Sequence, residues 1–220
     1  MLRIVSLFVR LKVHGAQNIV SDGSPAVFVG NHGSIEGPVA NGFYLPVPFR
    51  PWINVAMIDR EMAEKTISHT FEGRRFLIFG GKAKHAAISL AARLLSSVAS
   101  SLDPVPVSRT DKGAMLGTLK ASVETLERGV NLLIFPENPG SGKYGDESFR
   151  DLHPAFALLG RLYYGRTGRR LRFYPVFTNM GKKTYSIGSP VVYTPGGDEK
   201  AEVDRIVSGL RDALVRMSSL

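Results

Sequence analysis

Residues 114–137, AMLGTLKASVETLERGVNLLIFPE, contain the pattern of a helix followed directly by the pattern of a buried strand. A helix is predicted over Ala114–Arg128, because apolar residues recur there at the spacing of one helix face. Gly129 stands where a C-terminal cap belongs, and the apolar run Asn131–Phe135 follows it. The predicted apolar face consists of Met115, Leu119, Val123 and Leu126. A helix that leads so quickly into a buried strand is typical of α/β folds.

The same alternation continues on both sides of this stretch. Runs rich in β-branched and aromatic residues predict further strands at Ala26–Val29, Trp52–Met57, Val105–Val107 and Phe173–Phe177. A last amphipathic helix is predicted from Val203, Ile206, Val207, Leu210, Leu214 and Met217. We therefore predict a single α/β domain over residues 14–220, with a central mixed, largely parallel sheet flanked by helices.

Composition restricts the chemistry that the chain can carry. With 220 residues the chain is long enough for one domain with a sizeable core, and it contains no cysteine. Disulfides, thiolate metal sites and a cysteine nucleophile are thereby excluded. The formal net charge of +9 favours anionic surroundings, either nucleic acid or anionic lipid. The five histidines show no helical pair at metal-ligand spacing, so no metal site is expected.

The first 13 residues are apolar but carry Arg3, Arg10 and Lys12. If they are helical, Arg3, Ser6 and Arg10 share one narrow stripe opposite a wide apolar face. Such a helix could lie flat on a membrane surface, or it could pack on the domain's own core. No stretch of the sequence is long and apolar enough to predict a membrane-spanning helix.

Unusual polar residues follow the predicted strands, where ligands gather in α/β sheets. The first strand leads into Asn31-His32-Gly33-Ser34-Ile35-Glu36-Gly37-Pro38. A histidine there can accept a proton from a hydroxyl at neutral pH, provided that a partner, usually a carboxylate, fixes its tautomer. Ser34 could cap the next helix and bring Glu36 into its first turn.

Three later strand exits carry comparable segments. They are Val107-Ser108-Arg109, Phe135-Pro136-Glu137 and Tyr174-Pro175-Val176. Together with Asn31-His32-Gly33-Ser34, in this order, they resemble the four-motif pattern of the lysophosphatidic acid acyltransferase family. Val13-His14-Gly15 and Ile187-Gly188-Ser189-Pro190 are also similar to segments of that family. The resemblance covers roughly Val13 to Tyr193.

The resemblance implies a glycerolipid acyltransferase fold and acyl transfer from a thioester to a glycerolipid hydroxyl. His32 would be the general base, and Arg109 would bind the acceptor phosphate. Glu137 would help to shape the acceptor site, and Pro175-Val176 would line the pocket beneath it. No metal or dissociable cofactor is implied, because the chemistry is base catalysis plus oxyanion stabilisation. The donor, acyl-CoA or acyl carrier protein, is a cosubstrate.

The chain departs from the family pattern at two motifs. Gly37 stands where the family has an aspartate, and Glu36, one residue earlier, is the candidate to orient His32 in its place. In the third motif Asn138 replaces a glycine and Gly140 replaces an arginine, a charge that Lys143 could supply. The candidate site is therefore His32 and Glu36 for catalysis, with Ser34, Arg109, Glu137, Asn138 and Lys143 for substrate binding.

Two basic clusters are candidates for contact with anionic partners. The first comprises Arg161, Arg166, Arg169, Arg170 and Arg172, interleaved with Tyr163, Tyr164 and Phe173. It could dock on lipid headgroups, bind single-stranded nucleic acid, or be a solvated loop. The second comprises Arg74, Arg75, Lys82 and Lys84 and could serve lipid, an acidic carrier protein, or nothing. Nucleic acid is disfavoured, because the sequence contains no recognisable nucleic-acid module.

Two functions follow from the sequence. The first is an O-acyltransferase that acts on a lysophospholipid such as lysophosphatidic acid, peripheral to the cytoplasmic face of the cell membrane. The second is a catalytically impaired lipid-binding protein on the same fold, an alternative that Gly37 in place of aspartate keeps open.

Overall fold

The computed structural model describes residues 10–32, 36–55, 101–108, 112–137 and 151–219, together with positions 90, 97 and 149. The strands are β1 (Lys12–His14), β2 (Ala26–Gly30), β3 (Phe49–Asn54), β4 (Val105–Val107), β5 (Asn131–Ile134), β6 (Arg172–Asn179), β7 (Thr184–Ile187) and β8 (Val191–Val192). The helices are α1 (Glu36–Tyr44), α2 (Lys112–Glu127), α3 (Leu158–Thr167) and α4 (Glu199–Ser219). The predicted fold class is confirmed: an α/β domain with a central mixed, largely parallel sheet flanked by helices.

Within this fold the chain forms two compact units, residues 1–49 with 122–220 and residues 50–121. In the first unit the strands follow the order β1-β7-β6-β2-β5, and β8 pairs with β6. Strand β2 lies parallel to both of its neighbours, with Val29 opposite Ile134 on one side and Pro175 on the other. Strand β7 runs antiparallel to β6, and β1 runs parallel to β7.

Alternate residues of β6 face opposite sides of the sheet, and both sides are covered. On one side Tyr174 and Val176 join a buried cluster with Phe28, Tyr185 and Ile187, which includes Ala40 of α1. On the other side, Phe173 packs edge to face against Phe156, and Phe177 does so against Phe149. Helix α4 packs against β6. Its fully buried residues are Ile206, Leu210 and Leu214, which lie on the predicted apolar face.

In the second unit, β3 and β4 form a parallel pair with Trp52 opposite Val105. An ion pair between Arg50 and Asp103, 3.0 Å from Nε to Oδ2, ties the start of β3 to the residues before β4. The hydroxyl of Thr118 on α2 donates to the carbonyl of Pro106, at 2.8 Å. Helix α2 begins in this unit and ends in the first, where Gly129 has a φ of 78°. This left-handed conformation confirms the predicted glycine cap.

All five predicted strands and both predicted helices are present, and β4 has its predicted bounds whereas the ends of the other strands are shifted. Strand β3 begins three residues earlier than the predicted run, and residues 56 and 57 lie outside the described residues. Residues 1–9 also lie outside them, and Lys12 and Val13 lie in β1, so any helix at the N-terminus must end before Lys12. Among the residues that the structure describes, no helix is long and apolar enough to cross a membrane.

Candidate active site

The C-terminal ends of β2, β5 and β6 meet at one edge of the sheet, because these three strands are parallel. Asn31 and His32 leave β2 at this edge, Phe135 to Glu137 leave β5, and Thr178 lies near the end of β6. The topology therefore brings the first and third motifs of the sequence into contact. This is the edge at which ligands bind in open α/β sheets.

Asn31 joins the end of β2 to the end of β6. Its side-chain amide donates to the carbonyl of Thr178 at 3.1 Å, and its Oδ1 accepts from the backbone N–H of Thr178 at 2.8 Å. Asn31 is 9% exposed and Thr178 is 5% exposed, so both hydrogen bonds are shielded from water. This pair of bonds fixes the backbone immediately before His32.

His32 is half-buried and contacts two of the three residues that leave β5 beside it, Phe135 and Glu137. Its backbone N–H donates to Oε1 of Glu137, with 2.6 Å between nitrogen and oxygen. Its imidazole meets the ring of Phe135 edge to face, with the centroids 5.3 Å apart and the planes at 81°. The Glu137 carboxylate thus lies against the backbone of the candidate base.

The segment that carries Glu137 is held in turn by the chain that follows the third motif. Glu137 forms an isolated antiparallel bridge with Leu152, and the backbone N–H of His153 donates to the carbonyl of Pro136 at 2.7 Å. Leu152 is buried. The segment that brings Glu137 to His32 is therefore itself fixed by backbone pairing with Leu152 and His153.

Gly37, the position of the family's aspartate, packs directly on the backbone of the first motif. A Cβ atom at this position would lie 2.1 Å from the carbonyl oxygen of Asn31 and 2.7 Å from that of His32. The N–H of Gly37 donates to the carbonyl of His32 at 3.3 Å. In this geometry the position has no room for any side chain, because the obstructing atoms belong to the backbone.

Helix α1 is anchored beneath the site by two buried polar side chains. The amide of Asn41 donates to the carbonyl of Gly37 at 2.8 Å, and the hydroxyl of Tyr185 donates to Oδ1 of Asn41 at 2.7 Å. Burial raises the pKa of Tyr185 far above its usual value, so the hydroxyl remains a donor. The start of α1 is thereby bonded to β7.

The fourth motif and the two flanking segments also come together. The N–H of Gly188 donates to the carbonyl of Pro175 at 2.8 Å, and a Cβ on Gly188 would meet the Pro175 ring at 2.7 Å. Gly15 has a φ of 76° and packs its Cα against the carbonyl of Ile187, which also accepts from the side chain of Asn18. Pro175 lies between the stretch of β6 that pairs with β8 and the stretch that pairs with β7. A missing ladder donor is best tolerated at such a break.

The structure places two of the seven predicted site residues, His32 and Glu137, in contact. Glu36 is the first residue of α1, in the predicted first turn, and its side chain lies outside the description. The other four, Ser34, Arg109, Asn138 and Lys143, lie outside the described residues. Asn41, Thr178 and Tyr185 were not predicted, because nothing in their local sequence separates them from ordinary core positions.

The arginine cluster of the sequence is largely engaged in ion pairs. Arg161 pairs with Glu199, Arg166 with Glu127, and Arg172 with Asp22. The interleaved Tyr163 and Phe173 are core residues, 3% and 0% exposed, and Tyr164 packs on Tyr193. Arg169 and Arg170 are left as exposed cations in the turn before β6. The second cluster, Arg74, Arg75, Lys82 and Lys84, lies outside the described residues.

Other parts of the described chain offer less to a ligand. A cavity of about 200 Å³ lies at the opposite edge of the sheet, beside Arg172 and Asn131. The guanidinium of Arg172 is paired with Asp22, and the amide of Asn131 bonds the backbone on both sides. Among the described residues no group of three or more His, Asp or Glu is arranged to hold a metal ion.

A comparison with solved structures finds a similar fold in the 1-acyl-sn-glycerophosphate (LPA) acyltransferase PlsC from Thermotoga maritima. The TM-score is 0.51 and the sequence identity 13%, over 98% of this chain and 75% of that chain. At this identity the likeness supports the fold. No protein-family model and no curated protein sequence matches the chain.

Proposed function

We propose that this protein is an O-acyltransferase that moves a fatty acyl group from a thioester donor to the hydroxyl of a lysophospholipid such as lysophosphatidic acid. The observation that carries the proposal is the contact between His32 and Glu137 at the C-terminal edge of the sheet. These residues come from the first and third of four motifs that follow the family's order, on a fold that a known acyltransferase shares. The donor would be acyl-CoA or acyl carrier protein.

In the proposed reaction, one imidazole nitrogen of His32 accepts the proton of the acceptor hydroxyl. The hydroxyl oxygen bonds to the thioester carbonyl carbon, and the resulting tetrahedral intermediate collapses with loss of the C–S bond. The thiolate leaves with the proton that His32 accepted, so the products are an ester and a free thiol. Neither a metal nor a redox step is required. Ser34, Arg109, Asn138 and Lys143 remain candidate substrate-binding residues, with Arg109 on the acceptor phosphate.

Two carboxylates are candidates to orient His32, since Gly37 cannot do so. Glu36 is the residue that the sequence suggests, at the start of α1. Glu137 is the residue that the contacts suggest, because its carboxylate already accepts from the His32 backbone. A carboxylate that accepts from the second imidazole nitrogen would fix the tautomer required of a base.

The experiment that tests the proposal is thiol release from acyl-CoA and from acyl carrier protein thioesters, with lysophosphatidic acid in vesicles as acceptor. Acceptor-dependent release is expected, and His32→Ala should lower it by at least about 100-fold. His14→Ala is the matched control, because His14 is exposed on the edge strand β1. Both variants should keep the wild-type unfolding midpoint. Release that persists in His32→Ala would refute the proposal.

The alternative is a lipid-binding protein without catalysis. It is favoured by the absence of space at Gly37 for the carboxylate that the family has there. Such a protein would bind vesicles that contain lysophosphatidic acid and release no thiol from any donor. We propose for either function a peripheral position at the cytoplasmic face of the membrane.

A further inference from the structure

Four basic residues lie together at the sheet edge that carries His32, and no motif of the sequence includes all of them. They are Arg10, Lys12, Lys182 and Lys183, and we call them the basic rim. Lys182 and Lys183 occupy the turn between β6 and β7, and Arg10 and Lys12 lie at the start of β1. All four are exposed.

The sheet topology brings these residues together. Because β7 returns antiparallel from the end of β6 and β1 runs parallel to β7, the start of β1 lies beside the turn. The backbone N–H of Lys12 donates to the carbonyl of Lys183 at 2.9 Å. Since β1 is three strand positions from β2 and β6 is only one, the whole rim lies within roughly 14 Å of the His32 strand at about 4.8 Å per position.

The charge of the basic rim is not used within the described part of the protein. Lys182 donates from Nζ to the carbonyl of Ser219 at the end of α4, a bond that leaves its charge in place. Arg10, Lys12 and Lys183 have no ion-pair partner among the described residues. The arginines of the sequence cluster differ, because three of those five are paired with carboxylates.

We propose that the basic rim docks on an anionic lipid bilayer and turns the His32 edge of the sheet towards the membrane. The choice of lipid over an acidic protein rests on apolar neighbours of the rim. Val13 is 42% exposed, and the stretch of sequence that leads into Arg10, Ile4–Val9, is apolar except for Ser6. Cationic side chains beside apolar residues are typical of surfaces that lie on bilayers. This inference depends on the proposed function in one respect: the proposed function supplies the lipid substrate that the His32 edge would meet at the membrane.

A matched pair of double variants can separate the contribution of the basic rim to membrane binding from the contribution of the overall net charge. Lys12→Gln/Lys183→Gln removes two rim charges, and Arg169→Gln/Arg170→Gln removes two exposed charges at the other end of β6. The eight residues of β6 span roughly 25 Å at about 3.3 Å each, several times the screening length of about 8 Å in physiological salt. Both double variants have the same net charge.

The measurement is co-sedimentation with vesicles of phosphatidylcholine containing phosphatidylglycerol, at physiological salt. Each rim charge should contribute about fivefold to partitioning, so Lys12→Gln/Lys183→Gln should bind roughly 25-fold more weakly. Arg169→Gln/Arg170→Gln should bind within about twofold of wild type, because the two arginines that it lacks lie farther from the membrane-facing rim than the screening length. Vesicles of phosphatidylcholine alone should bind all three proteins weakly.

Three results would overturn the inference. Equal loss in the two double variants would mean that net charge alone drives binding, and a larger loss in Arg169→Gln/Arg170→Gln would move the docking surface to the opposite edge. Unchanged binding in the rim variant would mean that the lysines do not contact lipid and serve instead to keep the edge strand β1 from pairing with strands of other molecules. Failure of the proposed function is seen separately, as thiol release that does not depend on His32.

Discussion

At the scale of single residues, Gly37 is the position at which this chain departs most clearly from the family pattern, and the structure explains why glycine is required there. The sequence shows only that an aspartate expected by resemblance is missing. The structure adds that the backbone of Asn31 and His32 occupies the space a side chain would need. The first motif and the start of α1 are therefore fitted to glycine, and restoring the aspartate would not restore the family's arrangement.

We expect Gly37→Ala to lower the free energy of unfolding by about 1–3 kcal/mol, because its methyl group meets backbone that cannot turn aside. Gly42→Ala is the matched control in the same helix. A Cβ there has open space, and alanine should stabilise that helix by roughly 0.5–1 kcal/mol. Urea denaturation of the two variants measures both effects. Equal stabilities of Gly37→Ala and Gly42→Ala would show that the contact is not maintained in solution.

The orienting carboxylate of His32 can be identified by comparing Glu36→Gln with Glu137→Gln. A glutamine at 137 can still accept from the His32 N–H, so the fold should persist while the charge is lost. We expect Glu137→Gln to lower kcat by at least about tenfold if its carboxylate fixes the tautomer, and the profile of kcat against pH to shift. Unchanged kinetics in Glu137→Gln and a loss in Glu36→Gln would assign the role to Glu36.

At the scale of elements, the sequence predicts β2 to β6 and misses β1, β7 and β8, of which only β7 has buried apolar residues, Tyr185 and Ile187. Strands β2, β4, β5 and β6 are rich in buried residues, and their runs are visible in the sequence. Strand β1 has three exposed residues, and β8 has only two residues in all. Pairing with neighbours, rather than local pattern, determines such strands. The site divides in the same way: strand exits are predictable, whereas long-range anchors such as Asn41 and Tyr185 are not.

The loop before β2 is tied to the start of β6 by Asp22 and Arg172, in a two-point ion pair with distances of 2.7 and 3.2 Å. The hydrogen bonds from Arg172 and then from the N–H of Ser24 lower the pKa of Asp22 from 3.8 to about 2. A lowered folded-state pKa stabilises the fold above the unfolded-state pKa, and this contribution is lost as the pH falls through the folded-state pKa.

We therefore expect Asp22→Asn to be less stable than the wild type by a constant amount above about pH 5, and the difference to shrink between about pH 4 and pH 2. Urea midpoints of both proteins across this range provide the measurement. Asp22 is an exposed residue, so the difference should be small and should decrease with added salt. A gap that stays constant down to pH 2 would show that the charge of Asp22 does not stabilise the fold.

At the scale of the whole molecule, the net charge of +9 leaves lipid and nucleic acid as competing anionic partners. The structure weakens the case for nucleic acid at the arginine cluster of the sequence. Binding of single strands there would need exposed aromatic rings for base stacking, and Tyr163 and Phe173 are buried. Three of the five arginines are also paired with carboxylates.

We accordingly expect any binding of nucleic acid to be nonspecific attraction to phosphates. A gel shift with single- or double-stranded oligonucleotides should appear at low salt and vanish near physiological salt, because each released counterion steepens the salt dependence. The apparent affinity should not depend on base sequence, and Tyr164→Ala should leave it unchanged, since Tyr164 packs on Tyr193. Sequence-selective binding that survives physiological salt would instead require a stacking surface away from the arginine cluster, and it would make nucleic acid the primary partner.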